Sequence, residues 1–348
     1  MNARRKIVVV LLIAIVLVGA ASCNAGNPPP ISEGSPADTS APPSSSESDT
    51  VGTLPDGNGG EVKSPPPDAP ALGPAIDMDR DGNPITLPDS IETIISMGPS
   101  NTEVLAALGF ADKIIATDAY SDNVPGIKPG ISIFSMMAAD GEQMINMMPD
   151  VIFVTGMSMV GGDDPYKVVT DAGICVLYIP SSDSIEGIKD DIRFMAAVLD
   201  ARDRGDELIS DMEREIDRVR AIGETITDKK KVYFEISAAP YMYSFGQHTF
   251  LDEIINLIGA VNIFADQISW LSVADEAVLD ANPDVILTSV NYIDNPVDEI
   301  KSRPGWNEVS AVKNDEVYYI STDSSNRPSH NVVIALLEMA KAVYPDLY

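Results

Sequence analysis

The chain has 348 residues, with 53 Asp or Glu against 23 Lys or Arg, and its formal charge at pH 7 is −30. Such a charge excludes nucleic acid as a partner and disfavours polyanionic substrates, because it repels phosphate groups. Only two cysteines are present, so a framework of several disulfides is excluded as the source of stability.

Residues 1–22 have the pattern of a lipoprotein signal peptide. A basic start at residues 4–6 precedes an apolar run at residues 7–21, and small residues stand directly before Cys23. The run has 15 residues, fewer than the roughly 20 of a membrane-spanning helix. We therefore expect lipidation of Cys23 and an extracytoplasmic protein anchored to the cell membrane through that lipid. An uncleaved signal anchor is the alternative.

Residues 23–76 are predicted to be a disordered linker. They are rich in Pro and Ser and contain almost no large apolar residues, so they bury too little surface to offset the entropy of ordering. The expected role is a flexible spacer between the lipid and a folded domain.

Strand-like apolar runs then alternate with helical patterns, which predicts an α/β fold. We expect two Rossmann-like lobes, at residues 77–183 and 226–348, with a ligand cleft between them. The predicted strands are residues 93–96, 114–117, 151–155 and 176–179 in the first lobe and 232–236, 262–265, 285–289 and 317–320 in the second. Apolar residues at helical spacing predict a connecting helix over 184–225 and a final helix over 331–343.

The two lobes share a repeated pattern. The interval from Glu to Gly is the same for Glu103 to Gly109 and Glu253 to Gly259, and that from Glu to Pro-Asp-Val-Ile is the same for Glu142 to Pro149 and Glu276 to Pro283. A duplicated lobe explains both matches.

Candidate ligand-binding side chains follow the strands, since ligands of open α/β sheets bind beyond the carboxyl ends of the strands. Aromatic, Met and amide side chains prevail there, which suits a large, partly apolar ligand held by few polar groups. The alternative is that the aromatic residues only pack the seam between the lobes. The candidate cleft residues are Ser100, Asn101, Tyr120, Phe134, Met157, Ser158, Tyr241, Tyr243, Trp270, Asn291, Tyr292 and Arg327.

Ser100 and Glu103 have the spacing of a capping box, so a helix is expected to begin directly after the first strand. Its free backbone N–H groups would face the cleft and could hold an anionic group. A purely structural cap is the simpler alternative.

Enzyme motifs fit poorly. Residues 156–160 approach a nucleophile elbow, but Val160 replaces its second Gly. The only histidines are His248 and His330, which leaves few general bases and too few imidazoles for a carrier of bare zinc or manganese. We therefore assign no catalytic residue, no intrinsic cofactor and no protein-held metal.

Residues 94–109, Ile-Ile-Ser-Met-Gly-Pro-Ser-Asn-Thr-Glu-Val-Leu-Ala-Ala-Leu-Gly, resemble the opening of the class III substrate-binding proteins of ABC importers. The two segments from Glu to Pro-Asp-Val-Ile, residues 249–266 and Arg327-Pro-Ser are similar to that family as well. The resemblance implies two lobes bridged by a rigid helix and a monomeric receptor for a ferric siderophore, haem or cobalamin. It also implies that Glu142 and Glu276 dock to a permease dimer with its cytoplasmic ATPase, an arrangement in which charge pairing sets register and encounter rate.

The ligand stays open at this stage. Arg327 is the single basic residue of the strand-end loops, which argues against a triscatecholate iron complex. Haem would have axial candidates in Tyr120, Met157, Tyr241 and His330, and cobalamin would have aromatic walls in Tyr241, Tyr243, Trp270 and Tyr292. A surface lipoprotein that keeps this fold for adhesion or assembly is the alternative function, and an enzyme is the third.

Overall fold

The computed structural model of the protein describes residues 76–136, 138–156 and 164–348. The predicted signal peptide, Cys23, nearly all of the predicted linker, and the cleft candidates Met157 and Ser158 lie outside these residues. Among the residues described, no helix combines the length and the apolar character that crossing a bilayer requires.

The first lobe is built on a parallel sheet of five strands, one more than predicted. The strands are β1 (Ile94–Ser96), β2 (Ile114–Asp118), β3 (Ser132–Phe134), β4 (Val151–Thr155) and β5 (Cys175–Ile179), and the helices are α1 (Pro99–Ala107), α2 (Gly141–Met147) and α3 (Lys167–Asp171). The strand order is β3-β2-β1-β4-β5. The additional strand, β3, has three residues of which one is buried, too short a pattern for its sequence to indicate a strand.

Two helices occupy the segment for which one connecting helix was predicted. They are α4 (Ile185–Val198), capped by the Ser184 side chain, and α5 (Arg202–Gly223). The break lies at Asp200, whose φ of 52° is left-handed and cannot continue a right-handed helix. With 22 residues, α5 is about 33 Å long.

The second lobe has a parallel sheet of four strands and a separate antiparallel pair. Its strands are β6 (Lys231–Glu235), β7 (Tyr243–Phe245), β8 (Val261–Asn262), β9 (Trp270–Ser272), β10 (Val285–Thr288) and β11 (Val317–Tyr319), and its helices are α6 (Phe250–Leu257), α7 (Asp275–Ala281), α8 (Pro296–Ser302), α9 (Ser310–Lys313), α10 (Thr322–Ser325) and α11 (Val332–Val343). The parallel order is β11-β10-β6-β8, and β7 pairs with β9. The predicted α/β fold with parallel sheets is confirmed.

The sequence repeat has counterparts in three dimensions. Gly109 and Gly259 follow α1 and α6 with φ of 90° and 79°, a conformation that favours glycine at helix ends. Asp150 and Asp284 also correspond, because each accepts a backbone N–H group at the start of its lobe's central strand, at 2.8 Å. The duplicated pattern therefore describes two similarly built lobes.

The lobes share one apolar core. A continuous buried cluster extends from the first sheet through α4 and α5 to the second sheet. The long helix α5 contributes its one apolar face, Ile209, Met212, Ile216 and Val219. Because this face is part of a cluster that includes buried residues of both lobes, independent motion of the lobes would expose apolar surface.

An ion pair is buried in the second lobe. Arg303 donates to both carboxylate oxygens of Glu235, at 2.7 and 2.9 Å, and to Glu299 at 2.6 Å. Arg303 is 7% exposed and Glu235 is fully buried, and this burial raises the pKa of Glu235. The pair fixes α8, which carries Glu299, against the end of β6.

We expect Arg303→Met to lower the free energy of unfolding by about 3–5 kcal/mol, because Glu235 would be left buried without its cation. Denaturant unfolding followed by circular dichroism measures this loss. Adding Glu235→Leu should restore most of it, since no unpaired charge would remain. A loss below about 1 kcal/mol, the range of an exposed pair, would contradict this account.

Candidate functional site

A cavity of about 330 Å³ lies between the two lobes. Its wall follows the carboxyl ends of strands from both parallel sheets, where an open α/β fold places its ligand. The first lobe supplies Gly98, Pro99, Ser100, Ala119, Tyr120, Asp122, Asn123, Met136, Thr155 and Ser181, and the second supplies Ile236, Ser289, Val290, Asn291, Tyr292, Thr322, Asp323, Asn326, Arg327 and Pro328.

Five of the predicted cleft residues meet at this cavity. They are Ser100 and Tyr120 from the first lobe and Asn291, Tyr292 and Arg327 from the second. The two tyrosines lie after β2 and β10, so the position of a residue just beyond a strand end was the useful signal.

Five other candidates lie elsewhere. Asn101 and Phe134 are buried within the first lobe, while Tyr241, 64% exposed, stands outside the cavity wall. Tyr243 and Trp270 belong to the antiparallel pair of β7 and β9, which the sequence pattern did not indicate. The Trp270 ring packs against Phe245 and Phe250, with centroids 6.0 and 6.1 Å apart.

Small polar residues of the wall were missed by the sequence analysis. Asp122, Asn123, Ser289 and Asn326 all line the cavity, yet none has an aromatic or apolar character that would distinguish it from an ordinary loop residue. Their place shortly after β2, β10 and α10 was the one signal available.

Asp118, the last residue of β2, holds the first-lobe wall together. Its fully buried carboxylate accepts the N–H groups of Gly98 and Tyr120, at 2.9 and 2.7 Å, and the hydroxyl of Ser121 at 2.5 Å. Bonds to a charged acceptor are stronger than neutral ones, so the loops after β1 and β2 are fixed to each other.

The predicted capping box is wrong. The helix α1 begins at Pro99 with Gly98 as its N-cap, and no described side chain caps it. Proline at the first helical position has no N–H to satisfy and a φ already suited to the helix. The carboxylate of Glu103 instead reaches the second lobe.

Arg327 is surrounded by acceptors from both lobes. Its guanidinium donates to Glu103 at 2.7 Å, to the backbone oxygen of Tyr120 at 3.0 Å and to Asn123 at 3.2 Å, all in the first lobe. It also pairs with Asp323 at 2.6 Å. Its charge is therefore neutralised within the protein.

The second-lobe wall is held by hydroxyl groups. The Tyr292 hydroxyl accepts the N–H of Ala238 at 2.9 Å and lies 3.1 Å from the Ser237 hydroxyl. The Ser289 hydroxyl donates to the Asn326 side-chain oxygen at 3.1 Å. These bonds fix the Tyr292 ring and the Asn326 amide at the wall.

The charge of the wall is negative. Arg327 is the one cation among the described wall residues, and it is paired with Glu103 and Asp323. Asp122 and Asp323 are the acids of the wall. The arrangement provides hydrogen-bonding and aromatic surface but no available positive charge on the described wall.

Glu142 and Glu276 hold equivalent places outside the cavity. Each is the second residue of a seven-residue helix, α2 or α7, and each is exposed. Both helices end in a left-handed residue, Met148 with φ of 50° and Asn282 with φ of 45°. The two lobes therefore present an acidic side chain in the same structural context.

This chain is similar in sequence and in fold to known proteins. The family model of periplasmic binding proteins matches residues 94–323. The ABC transporter substrate-binding lipoprotein YvrC of Bacillus subtilis is 30% identical over 272 residues, or 78% of this chain and 85% of that protein.

Two further relatives are informative. The vitamin B12-binding protein of Vibrio cholerae is 27% identical over 256 residues, covering 72% of this chain and 88% of that protein. A solved structure from Staphylococcus epidermidis, described as a possible iron-binding periplasmic solute-binding protein, is 26% identical. It has a TM-score of 0.66 and covers 74% of this chain and 100% of that one. The chain therefore belongs to the periplasmic binding protein family, as a substrate-binding subunit of an ABC importer.

Proposed function

We propose that this importer subunit captures a corrinoid of the cobalamin type and delivers it to the permease. The observation that carries the proposal is the compensated charge of Arg327, the one cation among the described wall residues. A wall with two acids and a neutralised cation selects for a ligand without net negative charge.

Charge separates the three classes of chelate. A ferric triscatecholate is a trianion and haem carries two propionates, so either would place anionic groups near Asp122 and Asp323. Like charges across an interface cost several kcal/mol. A cobalamin has neutral amides around its corrin ring and carries its one phosphodiester on the nucleotide loop, so its corrin edge meets no such penalty.

The polar groups of the wall also suit amides. Asn123 is bonded to Arg327 and Asp323, and the Asn326 oxygen accepts the Ser289 hydroxyl. The amide of Asn291 and the NH₂ group of Asn326 are of the chemical type that pairs with the peripheral amides of a corrinoid. The rings of Tyr120 and Tyr292 offer flat apolar surface from opposite lobes. The cavity is smaller than a whole cobalamin, so the proposal places one edge of the ligand inside and the remainder at the mouth.

The geometry provides fewer of the expected axial ligands for haem. Of its axial candidates, Tyr120 lines the cavity, Tyr241 stands outside it, and Met157 lies outside the described residues. His330 is not part of the described wall. The relative named as a vitamin B12-binding protein supports the corrinoid as the first ligand to test.

The proposal includes anchoring of the protein to the membrane through a lipid. Lipidation at Cys23, followed by a flexible linker, would confine the receptor close to its permease and raise its effective concentration there. The Bacillus subtilis relative is named a lipoprotein, which supports this arrangement. Mass spectrometry of the mature protein from membranes would show a diacylglyceryl group on Cys23.

Calorimetric titration of the folded domain tests the ligand. We expect cyanocobalamin to bind, and haemin and a ferric triscatecholate to bind at least tenfold more weakly, about 1.4 kcal/mol. Tyr292→Ala should weaken cyanocobalamin binding about tenfold or more through the loss of an aromatic contact. Tyr241→Ala is the matched control, because that ring is outside the wall. Preference for the trianionic complex would refute the charge argument.

Docking is tested separately from ligand binding. We expect Glu142→Lys and Glu276→Lys to abolish uptake in cells carrying the importer while leaving the dissociation constant of the ligand unchanged, because both side chains are exposed and lie outside the cavity wall. Glu207→Lys, an exposed acid on α5, is the control and should keep uptake. Normal uptake by the double variant would show that these glutamates do not dock.

A further inference from the structure

One repeated motif is used neither by the ligand wall nor by the proposed docking surface: the interval from Glu103 to Gly109 and from Glu253 to Gly259. We infer that Glu103 and Glu253 are positioning residues, two latches at equivalent positions that bond each lobe to the start of a helix outside that lobe and set the separation of the cavity walls. The inference deepens the proposed function, and only its ligand arm rests on that function.

The first latch starts on α1. The carboxylate of Glu103, 5% exposed, accepts Arg327 on one oxygen at 2.7 Å. Its other oxygen accepts the Ser329 hydroxyl at 2.5 Å and the Asn331 amide at 2.9 Å. Asn331 is the N-cap of α11. A buried carboxylate of the first lobe thus binds the start of the last helix of the second lobe.

The second latch starts at the equivalent position of α6. The carboxylate of Glu253 accepts the backbone N–H of Ile185 at 2.9 Å. Ile185 is the first residue of α4, and α4 packs against α1 of the first lobe. An acid is favoured at a helix N-terminus, where N–H groups are free. Each repeat helix therefore presents its glutamate to the start of a helix outside its own lobe.

The glycine ends of the motif hold the connecting helix. Near one end of α5, Arg204 donates to the backbone oxygen of Ala107 at 2.9 Å, and a Cβ at Gly109 would lie 3.1 Å from its guanidinium. At the other end, a Cβ at Gly223 would lie 2.2 Å from the backbone oxygen of Leu257, closer than atoms can approach. Both repeat helices thus approach α5 closely at their ends, while Glu103 bonds to the second lobe and Glu253 to the connecting helix α4.

The first latch acts directly on the cavity wall. Pro99 and Ser100 of the wall stand on the first turn of α1, one turn before Glu103, and its partner Arg327 is itself a wall residue. Opening this latch would let the two walls separate. A ligand that contacts both walls would then bind only the fraction of molecules with the walls in register, and its apparent affinity would fall by that fraction.

The latches are tested first without ligand, by hydrogen exchange and small-angle scattering on Glu103→Gln, Glu253→Gln and the double variant. We expect Glu103→Gln to speed exchange in residues 98–107 and 326–334. For Glu253→Gln the faster exchange should lie in residues 184–190, with the smaller effect because Glu253 accepts the single N–H group of Ile185. The double variant should have the larger radius of gyration. Glu207→Gln on the exposed face of α5 is the matched control.

Ligand affinity is the second readout. We expect the dissociation constant of cyanocobalamin to rise about tenfold in Glu103→Gln, less in Glu253→Gln, and by about the product of the two in the double variant. If the wild-type protein fails to bind cyanocobalamin while the exchange results hold, the proposed ligand is wrong and the latches stand. Exchange and scattering like those of the control in all three variants would overturn the inference.

A milder variant guards against misfolding. Ser329→Ala with Asn331→Ala removes two donors to Glu103 and keeps its pair with Arg327. We expect faster exchange in the same segments, at a level between wild type and Glu103→Gln. An unchanged exchange pattern in this folded variant would show that the first latch does not restrain the lobes.

Discussion

The rest of the site depends on one buried carboxylate, that of Glu103. A charge taken out of water must be neutralised, and here the neutralising group, Arg327, comes from the other lobe. The same contact has two effects, because it joins the lobes next to the cavity and removes the positive charge that an anionic ligand would need. The proposed ligand selectivity and the proposed restraint of the lobes therefore depend on the same ion pair.

Much of the fold could be predicted from the sequence because its central strands are buried on both faces. Such strands, β4 and β10 among them, are uninterrupted apolar runs that flanking turns make easy to recognise. The antiparallel pair of β7 and β9 escaped because each strand has three residues and its partner lies far along the chain. Its aromatic residues, Tyr243 and Trp270, were in consequence assigned to the cleft.

The position of the site could be predicted from the sequence, but the contacts between its residues could not. Tyr120, Asn291 and Tyr292 follow strand ends, and topology brings such residues together. The contact of Glu103 with Arg327 spans 224 positions in the chain, and no local pattern encodes it. The helix after β1 was predicted correctly but the capping role of Glu103 was not, because a cation from the other lobe provides a stronger partner than the backbone of its own helix.

The equivalence of the halves also bears on the docking proposed for Glu142 and Glu276. These residues stand in the same context on each half, so under that proposal a dimeric permease would meet nearly the same pair of contacts in two orientations that exchange the halves. The cavity is formed by both halves and keeps its central place in either orientation. A larger share of random collisions with the permease would then be productive. Release of the ligand would not depend on which of the two orientations the receptor adopts.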